Sequence, residues 1–511
     1  MKRILAIDQG TTGTTVLLLD ERAHILGRGY AELPQHFPKP GWVEHWGEEI
    51  WETTLRAIEE ALRAAGIEAQ AGGAASHADG APGAARAAAI DAIGITNQRE
   101  TTILWERSSS RPVAPAIVWQ DRRTAERCAA LRRKGIEGAV RRKTGLRLDP
   151  YFSATKVEWM LRNVKGLRAR AARGEIAFGT VDSWLVWLLT GGAVHATDPT
   201  NASRTLLYDI RRGRWDPALA ATFGVPETIL PEVRRSAGEF GATRGVPGLP
   251  DGIPIRGIAG DQQAALFGQG CVARGGIKNT YGTGCFLMLH TGSRLLLSRS
   301  GLISTVACGP RGEPAYALEG SVFVGGAAVQ WLRDGLGVIQ SAGEVAALAR
   351  SVPDAGGTVL VPAFAGLGAP YWRPDARGLW SGLTRGTTRA HLARAALESI
   401  AFQTRDVVAA MEKDARARVR QLRVDGGAAA NDLLLQLQAD LLGIPIVRPA
   451  MLESTALGAA LLAGIGAGIW ERREDVPVAK EGERVFRPDM APGVRRARIA
   501  EWDAAVKMLL R

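Results

Sequence analysis

Residues 8–15 read Asp-Gln-Gly-Thr-Thr-Gly-Thr-Thr, which sets one carboxylate, two glycines and four threonine hydroxyls between the apolar runs Ile4–Ile7 and Val16–Leu19. Both runs read as short buried strands. A hairpin connection needs only about two to five residues, so the surplus of small donors asks for a reason. One reading is a Thr-rich β-turn, with threonine serving strand propensity and glycine supplying positive φ. The other is a phosphate cradle. Successive backbone N–H groups in a glycine-containing turn form an anion-binding nest, to which hydroxyls add donors. Asp8 at the strand end then holds the Mg²⁺ that accompanies nucleotide phosphates, since magnesium takes one or two carboxylates and keeps its waters.

Further polar groups follow apolar strands. Asn97-Gln98-Arg99-Glu100 comes directly after the strand Ala92–Thr96, Trp119 ends the run 116–119, Tyr151 sits in a Pro-containing turn, and Gly260-Asp261-Gln262 follows the run 253–259. Polar groups just past the carboxyl ends of buried strands are where ligands sit in α/β sheets. An isolated Arg-Glu is a surface pair, so only the set carries weight. A third glycine turn, Asp425-Gly426-Gly427, leads to Asn431 and Asp432, both good N-cap residues. It reads as a routine strand-to-helix connection or as a nucleotide wall, with free N–H groups at the helix start. The sequence has no G-x-x-x-x-G-K-[ST], no G-x-G-x-x-G opening a helix after a strand, and no H-R-D or D-F-G set. Phosphoryl transfer here must use other machinery.

The elements that position these groups alternate between strand and helix patterns, which argues α/β layers. A helix is expected over Glu48–Ala65 and another over 390–412, where apolar positions recur at three- and four-residue spacing. The halves echo one another: the second begins Ile-Lys-Asn-Thr-Tyr-Gly-Thr-Gly at residue 277, again a strand broken by a Gly/Thr turn. Two such hairpins facing each other can hold a polyphosphate between them. Glycines cluster at 268–276, so the expected domains are 1–268 and 269–511. Residues 68–87 are low-complexity Ala/Gly and read as a mobile surface loop.

The totals exclude several classes. A chain of 511 residues with 46% hydrophobic and 23% charged residues is ordinary for a globular protein. The longest apolar stretch, 455–470, is Ala/Gly-rich and below spanning length, so it reads as a closely packed helix and no membrane insertion is expected. Only five apolar residues precede Asp8, too few for a signal-peptide core. Four cysteines without C-x-x-C spacing fit reduced thiols in a cytoplasmic protein. No H-x-x-x-H pair suggests zinc. The net charge of +12 comes from scattered arginines with no aromatic-interleaved motif; nucleic acid is not an expected partner, while anionic small substrates suit a basic background.

Taken together the stretches DQGTT, PGWVEH, ITNQRETT, VWQDRRT, DPYFSATK, TDPTNASRT, AGDQQAALFGQGC, NTYGTGCF, APYWRPDARG and RVDGGAAAN occur in order along essentially the whole chain. In these the sequence resembles the glycerol kinase branch of the FGGY carbohydrate kinases. The resemblance implies two actin-like (ribonuclease H-like) ATPase domains with a ligand cleft between them, a homo-oligomer, and ATP-dependent phosphorylation of glycerol to sn-glycerol 3-phosphate. It implies ATP-phosphate contacts from Thr11, Thr12 and Gly13, with Asp8 at the Mg²⁺. Arg99, Glu100, Tyr151, Asp261 and Gln262 are implied to hold glycerol, and Trp119 and Phe286 to wall its carbons. Thr283, Gly326, Gln330, Gly427 and Asn431 are implied to complete the nucleotide site. Asp261 is the candidate base for the attacking hydroxyl.

A slot for three carbons and three hydroxyls should be polar on one side and aromatic on the other. Sites built to hydrogen-bond a hydroxyl reject analogues lacking it by roughly 10⁴–10⁵. Domain closure that excludes water is expected. The chain departs from the family pattern in places. Gly13 and Thr15 stand where many bacterial members carry Ser and Arg. The 236–246 stretch lacks a clear counterpart of the glycine/lysine-rich loop that binds fructose 1,6-bisphosphate in some members, so no such inhibition is expected. The alternatives are another FGGY kinase acting on a pentulose or aldonate, and an actin-like ATPase that binds a partner. The second leaves Arg99, Tyr151 and Asp261 without a purpose.

Overall fold

The computed structural model describes residues 1–67, 90–478 and 482–511; the 68–87 loop expected from composition lies outside them. The hairpin expected at the N-terminus forms between strands Arg3–Gln9 and Gly13–Asp20. With Ile25–Glu32 they make an antiparallel ribbon. Strands Ala92–Asn97 and Ile255–Gly260 then add in parallel, giving a five-stranded sheet.

Apart from the edge strand Ile25–Glu32, whose alternate residues are exposed, its strands are mostly buried because both faces are covered. Leu5, Ile7, Val16 and Leu18 face the helix Gly47–Ala64, whose Ile50, Ala57, Ile58 and Ala61 complete that core. Ile4, Ala6, Leu17 and Leu19 face the other way, into the helix Ser454–Gly466. That helix lies in the last tenth of the chain yet packs on the first sheet. The expectation of close packing over 455–470 is met by contact of main chain on main chain: an added Cβ on Gly94 would lie 2.2 Å from the Ala459 carbonyl oxygen, and one on Gly458 would lie 1.9 Å from that of Ala264.

The second sheet has seven strands and repeats the plan of the first. Ile277–Tyr281, Cys285–Gly292 and Pro314–Val322 form an antiparallel ribbon extended by Ile303–Cys308. Leu422–Asp425 and Ile446–Arg448 join in parallel, and Arg484–Phe486 closes the edge. The faint echo between the halves is thus a repeated topology, and it extends to the turns. In the first hairpin Gly10 N–H donates to the Gly13 carbonyl at 2.9 Å; in the second Gly282 N–H donates to the Gly284 carbonyl at 2.8 Å.

The 27-residue helix Arg389–Ala415 covers one face of the second sheet through Ala396, Leu397, Ile400 and Val407. The other face meets the short helix Asp261–Gly268. This helix sits at the seam, with Ala264 and Phe267 in the first sheet's core and Leu266 against Met288 and Ala317 of the second. Its N-terminus carries Asp261 and Gln262 to the place where the two sheets converge.

Candidate active site

The phosphate-cradle reading of residues 8–15 acquires a defined geometry. The hairpin is anchored from behind: the Thr11 carbonyl accepts from Gln35 Nε2 at 2.7 Å and the Thr12 carbonyl from Leu33 N–H at 2.9 Å. Gln35 is in turn held by buried His45 at 3.1 Å, which also lies 3.3 Å from Gln98. These hold the loop while Thr12 stays exposed. At Gly13 a side chain is excluded, because a Cβ there would lie 2.6 Å from the Tyr30 hydroxyl and 2.7 Å from the Ala31 carbonyl oxygen. The phenol of Tyr30 thus occupies the space beside the loop.

Asp8 is half-buried at the end of its strand. Burial, and then the negative charges of Asp261 and Glu453, push its carboxyl well above the usual range. A cation beside Asp8 would oppose that shift. Among the described residues no three His, Cys, Asp or Glu side chains stand together as a metal-ligand cluster, so any Mg²⁺ there would be held by one or two carboxylates and its waters.

The residues expected to hold the acceptor sit in a network of buried charge. Arg99, 2% exposed, donates to both oxygens of Glu319 at 2.7 and 2.9 Å, and its Nε lies 3.0 Å from Asp261 Oδ1. Arg204, fully buried, donates to Glu100 Oε1 at 2.5 Å and to Glu319 Oε1 at 3.1 Å. Burial opposes the Glu319 charge, but Arg204 and Arg99 outweigh it and hold the carboxyl down at about 2. Glu100 adopts φ +61°, a backbone conformation rare for a residue with a Cβ. Its carbonyl is held there by Ser153 Oγ at 3.1 Å and by buried Lys156 Nζ at 3.3 Å. Lys156 also donates to the Tyr151 carbonyl at 2.8 Å, and burial pulls its ammonium down to about 7.

Trp119, Tyr151 and Phe286 come together in one aromatic cluster. Trp119 lies edge-on between Tyr151 and Phe286, with ring centroids 5.6 and 6.1 Å away. Its indole Nε1 donates to Thr11 Oγ1 at 2.8 Å, which ties this cluster to the first hairpin loop. Tyr151 hydroxyl also sits 3.5 Å from Arg99.

Thr283, Gly326 and Gln330 come together because the second hairpin turn is bonded to the start of helix Ala327–Asp334. Gly325 N–H donates to the Thr283 carbonyl at 2.8 Å and Gly326 N–H to the Gly282 carbonyl at 2.9 Å. Gly426, at φ +84°, lets the next turn close on Tyr281, where a Cβ would lie 2.5 Å from the carbonyl oxygen. Exposed Gly427 follows it, and Asn431 caps the helix Asp432–Leu442 by accepting from Leu433 and Leu434 N–H at 3.0 and 3.2 Å. Sequence reasoning missed Glu319, Arg204, Lys156 and Lys278. Arg204, Lys156 and Lys278 stood inside stretches already singled out, but their neighbours in sequence are largely polar and nothing there marks them as buried.

Comparison with known proteins fits this arrangement. The N-terminal domain of the FGGY family of carbohydrate kinases matches residues 3–268 and its C-terminal domain residues 277–467. The chain is 55% identical over 507 residues to a glycerol kinase of Aromatoleum aromaticum, covering 99% of this chain and 98% of the other. It is 53% identical over 508 residues to one from Myxococcus xanthus, at 99% of each. A crystal structure of Plasmodium falciparum glycerol kinase with ADP superposes with a TM-score of 0.89 at 34% identity, covering 100% of this chain and 99% of that one.

Proposed function

The chain belongs to the FGGY family of carbohydrate kinases, and on that premise we propose that it transfers the γ-phosphoryl group of ATP to glycerol, giving sn-glycerol 3-phosphate. The observation that carries the choice of acceptor is the juxtaposition of the Arg99–Asp261 pair with the Trp119–Tyr151–Phe286 wall. One side offers charged hydrogen-bonding groups and the other aromatic rings, as a small polyol requires.

In this reading Asp261 accepts the proton of the attacking hydroxyl, help worth roughly 10²–10⁴ in rate. Arg99 holds that carboxylate in place and Glu100 orients the remaining hydroxyls. Thr11, Thr12 and the backbone N–H groups of the first hairpin cradle the phosphates. Thr283, Gly326, Gln330, Gly427 and Asn431 receive the rest of the nucleotide. Mg²⁺ at Asp8, when bound, neutralises charge on the transferred phosphoryl group. Because the transition state is loose, positioning and charge neutralisation carry most of the catalysis.

The test is ADP release from Mg-ATP with and without glycerol, for the wild type and Asp261→Asn. Turnover that depends on glycerol, and is lost in the variant while ATP still binds, supports the acceptor and the base together. Turnover indifferent to glycerol refutes the reading; a panel of pentuloses and aldonates then identifies the acceptor.

A further inference from the structure

Lys278 is fully buried on strand Ile277–Tyr281, and no role in the reaction above uses it. Its ammonium donates to Gln262 Oε1 and, at 2.7 Å, to Thr280 Oγ1. An ammonium has three donors and no acceptor, so it fixes which end of the Gln262 amide it meets. The amide nitrogen is then left facing Asp261, and Gln262 Nε2 donates to Asp261 Oδ2 at 3.2 Å. The second oxygen of the same carboxylate lies 3.0 Å from Arg99 Nε and accepts from Gln262 N–H at 2.7 Å. Every donor on Asp261 is therefore set, and one of them is set from the other sheet.

On the neighbouring strand Asp425 is paired in register with Thr280. It is 1% exposed, and neither of its carboxylate oxygens has a hydrogen-bond partner among the described residues. A buried carboxylate without donors favours a nearby cation; Lys278 lies beyond ion-pair distance of Asp425 and feels its charge only at longer range. Burial pulls the Lys278 ammonium down to about 8, against the attraction of Asp425, Asp261 and Glu319 and with the repulsion of Arg99. Arg423 and Cys271 complete the charged and titratable groups around it.

We propose that Lys278 is a positioning residue for the phosphoryl transfer: acting through the Gln262 amide, it sets the Asp261 carboxylate against the acceptor hydroxyl. This rests on the reading of Asp261 given above. Absence of glycerol-dependent turnover in the wild type counts against that reading, whereas losses confined to the variants below bear on the relay.

Steady-state kinetics with both substrates, across pH, tests it in the full-length protein. Lys278→Met lowers kcat on the order of 10²-fold, the scale of a slightly misplaced reacting group, with both KM values little changed. Gln262→Glu keeps a partner for the ammonium but turns an acceptor toward Asp261, and it lowers kcat similarly at unchanged Tm. Lys278→Arg restores most of kcat. It also moves the alkaline limb of kcat, expected near pH 8 in the wild type, upward, because a guanidinium stays protonated there. Wild-type kcat in Lys278→Met overturns the proposal, as does an alkaline limb that Lys278→Arg leaves in place. Losses that track Tm in all three variants overturn it too, since they make the lysine merely structural.

Discussion

Trp119 and Thr11 are joined by a hydrogen bond of 2.8 Å from the indole Nε1 to the threonine Oγ1. One residue belongs to the wall proposed for the acceptor and the other to the loop proposed for the phosphates, so the two halves of the reaction share a contact. Trp119→Phe keeps the wall and deletes the donor; Thr11→Val deletes the acceptor. Each single change should raise KM for ATP and for glycerol. The double variant should lose less than the product of the two, by the roughly 0.5–1.5 kcal/mol of one hydrogen bond. Strictly multiplicative losses in kcat/KM mean that the bond transmits nothing.

Glu319 should be costly to neutralise. Its carboxylate accepts hydrogen bonds from both Arg99 and Arg204, which are buried, whereas Glu100 bonds Arg204 and lies 3.9 Å from Arg99. Glu319→Gln leaves two guanidinium groups sharing the Glu100 carboxylate, and breaking a buried pair in this way costs about 3–5 kcal/mol. Urea unfolding should show that loss, and the variant should bind glycerol weakly. A Glu319→Gln protein of wild-type stability removes the network from the account of the site.

Gly13→Ala tests the space beside the phosphate loop. The methyl group meets the Tyr30 phenol, which can swing away, and the Ala31 carbonyl, which cannot without moving its strand. The variant should lose about 1–3 kcal/mol, the usual range for overpacking, and bind ATP less tightly. Adding Tyr30→Ala should recover only part of this. Full recovery of Tm in the double variant places the whole clash in the phenol.

Acid should destabilise the fold through buried His45 and half-buried His195. Burial pushes His45 and His195 down to about 4 from an ordinary 6.5. Between those values the unfolded chain binds the more protons, so stability falls as pH drops from 6.5 toward 4. The slope approaches about 1.4 kcal/mol per pH unit for each histidine. His45→Gln should flatten the profile by one histidine's share; an unchanged slope in urea titrations at pH 4–7 refutes the assignment.

Much of the site was legible because it lies in short segments at strand ends. The hairpin at 8–15, the groups after Thr96 and Ala259, and the Asn431 cap each announce themselves within a few residues. The echo between the halves was visible only as a Gly/Thr turn, yet it reflects the same ribbon, each closed by a glycine-to-glycine turn hydrogen bond, from Gly10 to Gly13 in one and from Gly282 to Gly284 in the other. The charge network was not legible. Arg99 and Glu319 are 220 residues apart, Arg204 and Glu100 104 apart, and Glu319 sits singly in Pro-Ala-Tyr-Ala-Leu-Glu-Gly. One acid within a strand looks like an outward-facing residue until the opposite wall is known. The small-residue pattern of 455–470 revealed close packing but not which sheet it packs on, because an all-apolar helix has no distinctive face.

That helix, Ser454–Gly466, also sets a timetable. A nascent chain emerging from the ribosome completes the first ribbon almost at once and the fifth strand midway, but the cover for Ile4, Ala6, Leu17 and Leu19 is translated some 190 residues after that strand. Throughout that interval one side of the sheet is bare and sticky, an opening for chaperones or for aggregation. A message truncated between codons 260 and 454 yields a protein whose first sheet has all five strands but lacks the Ser454–Gly466 cover on one of its faces.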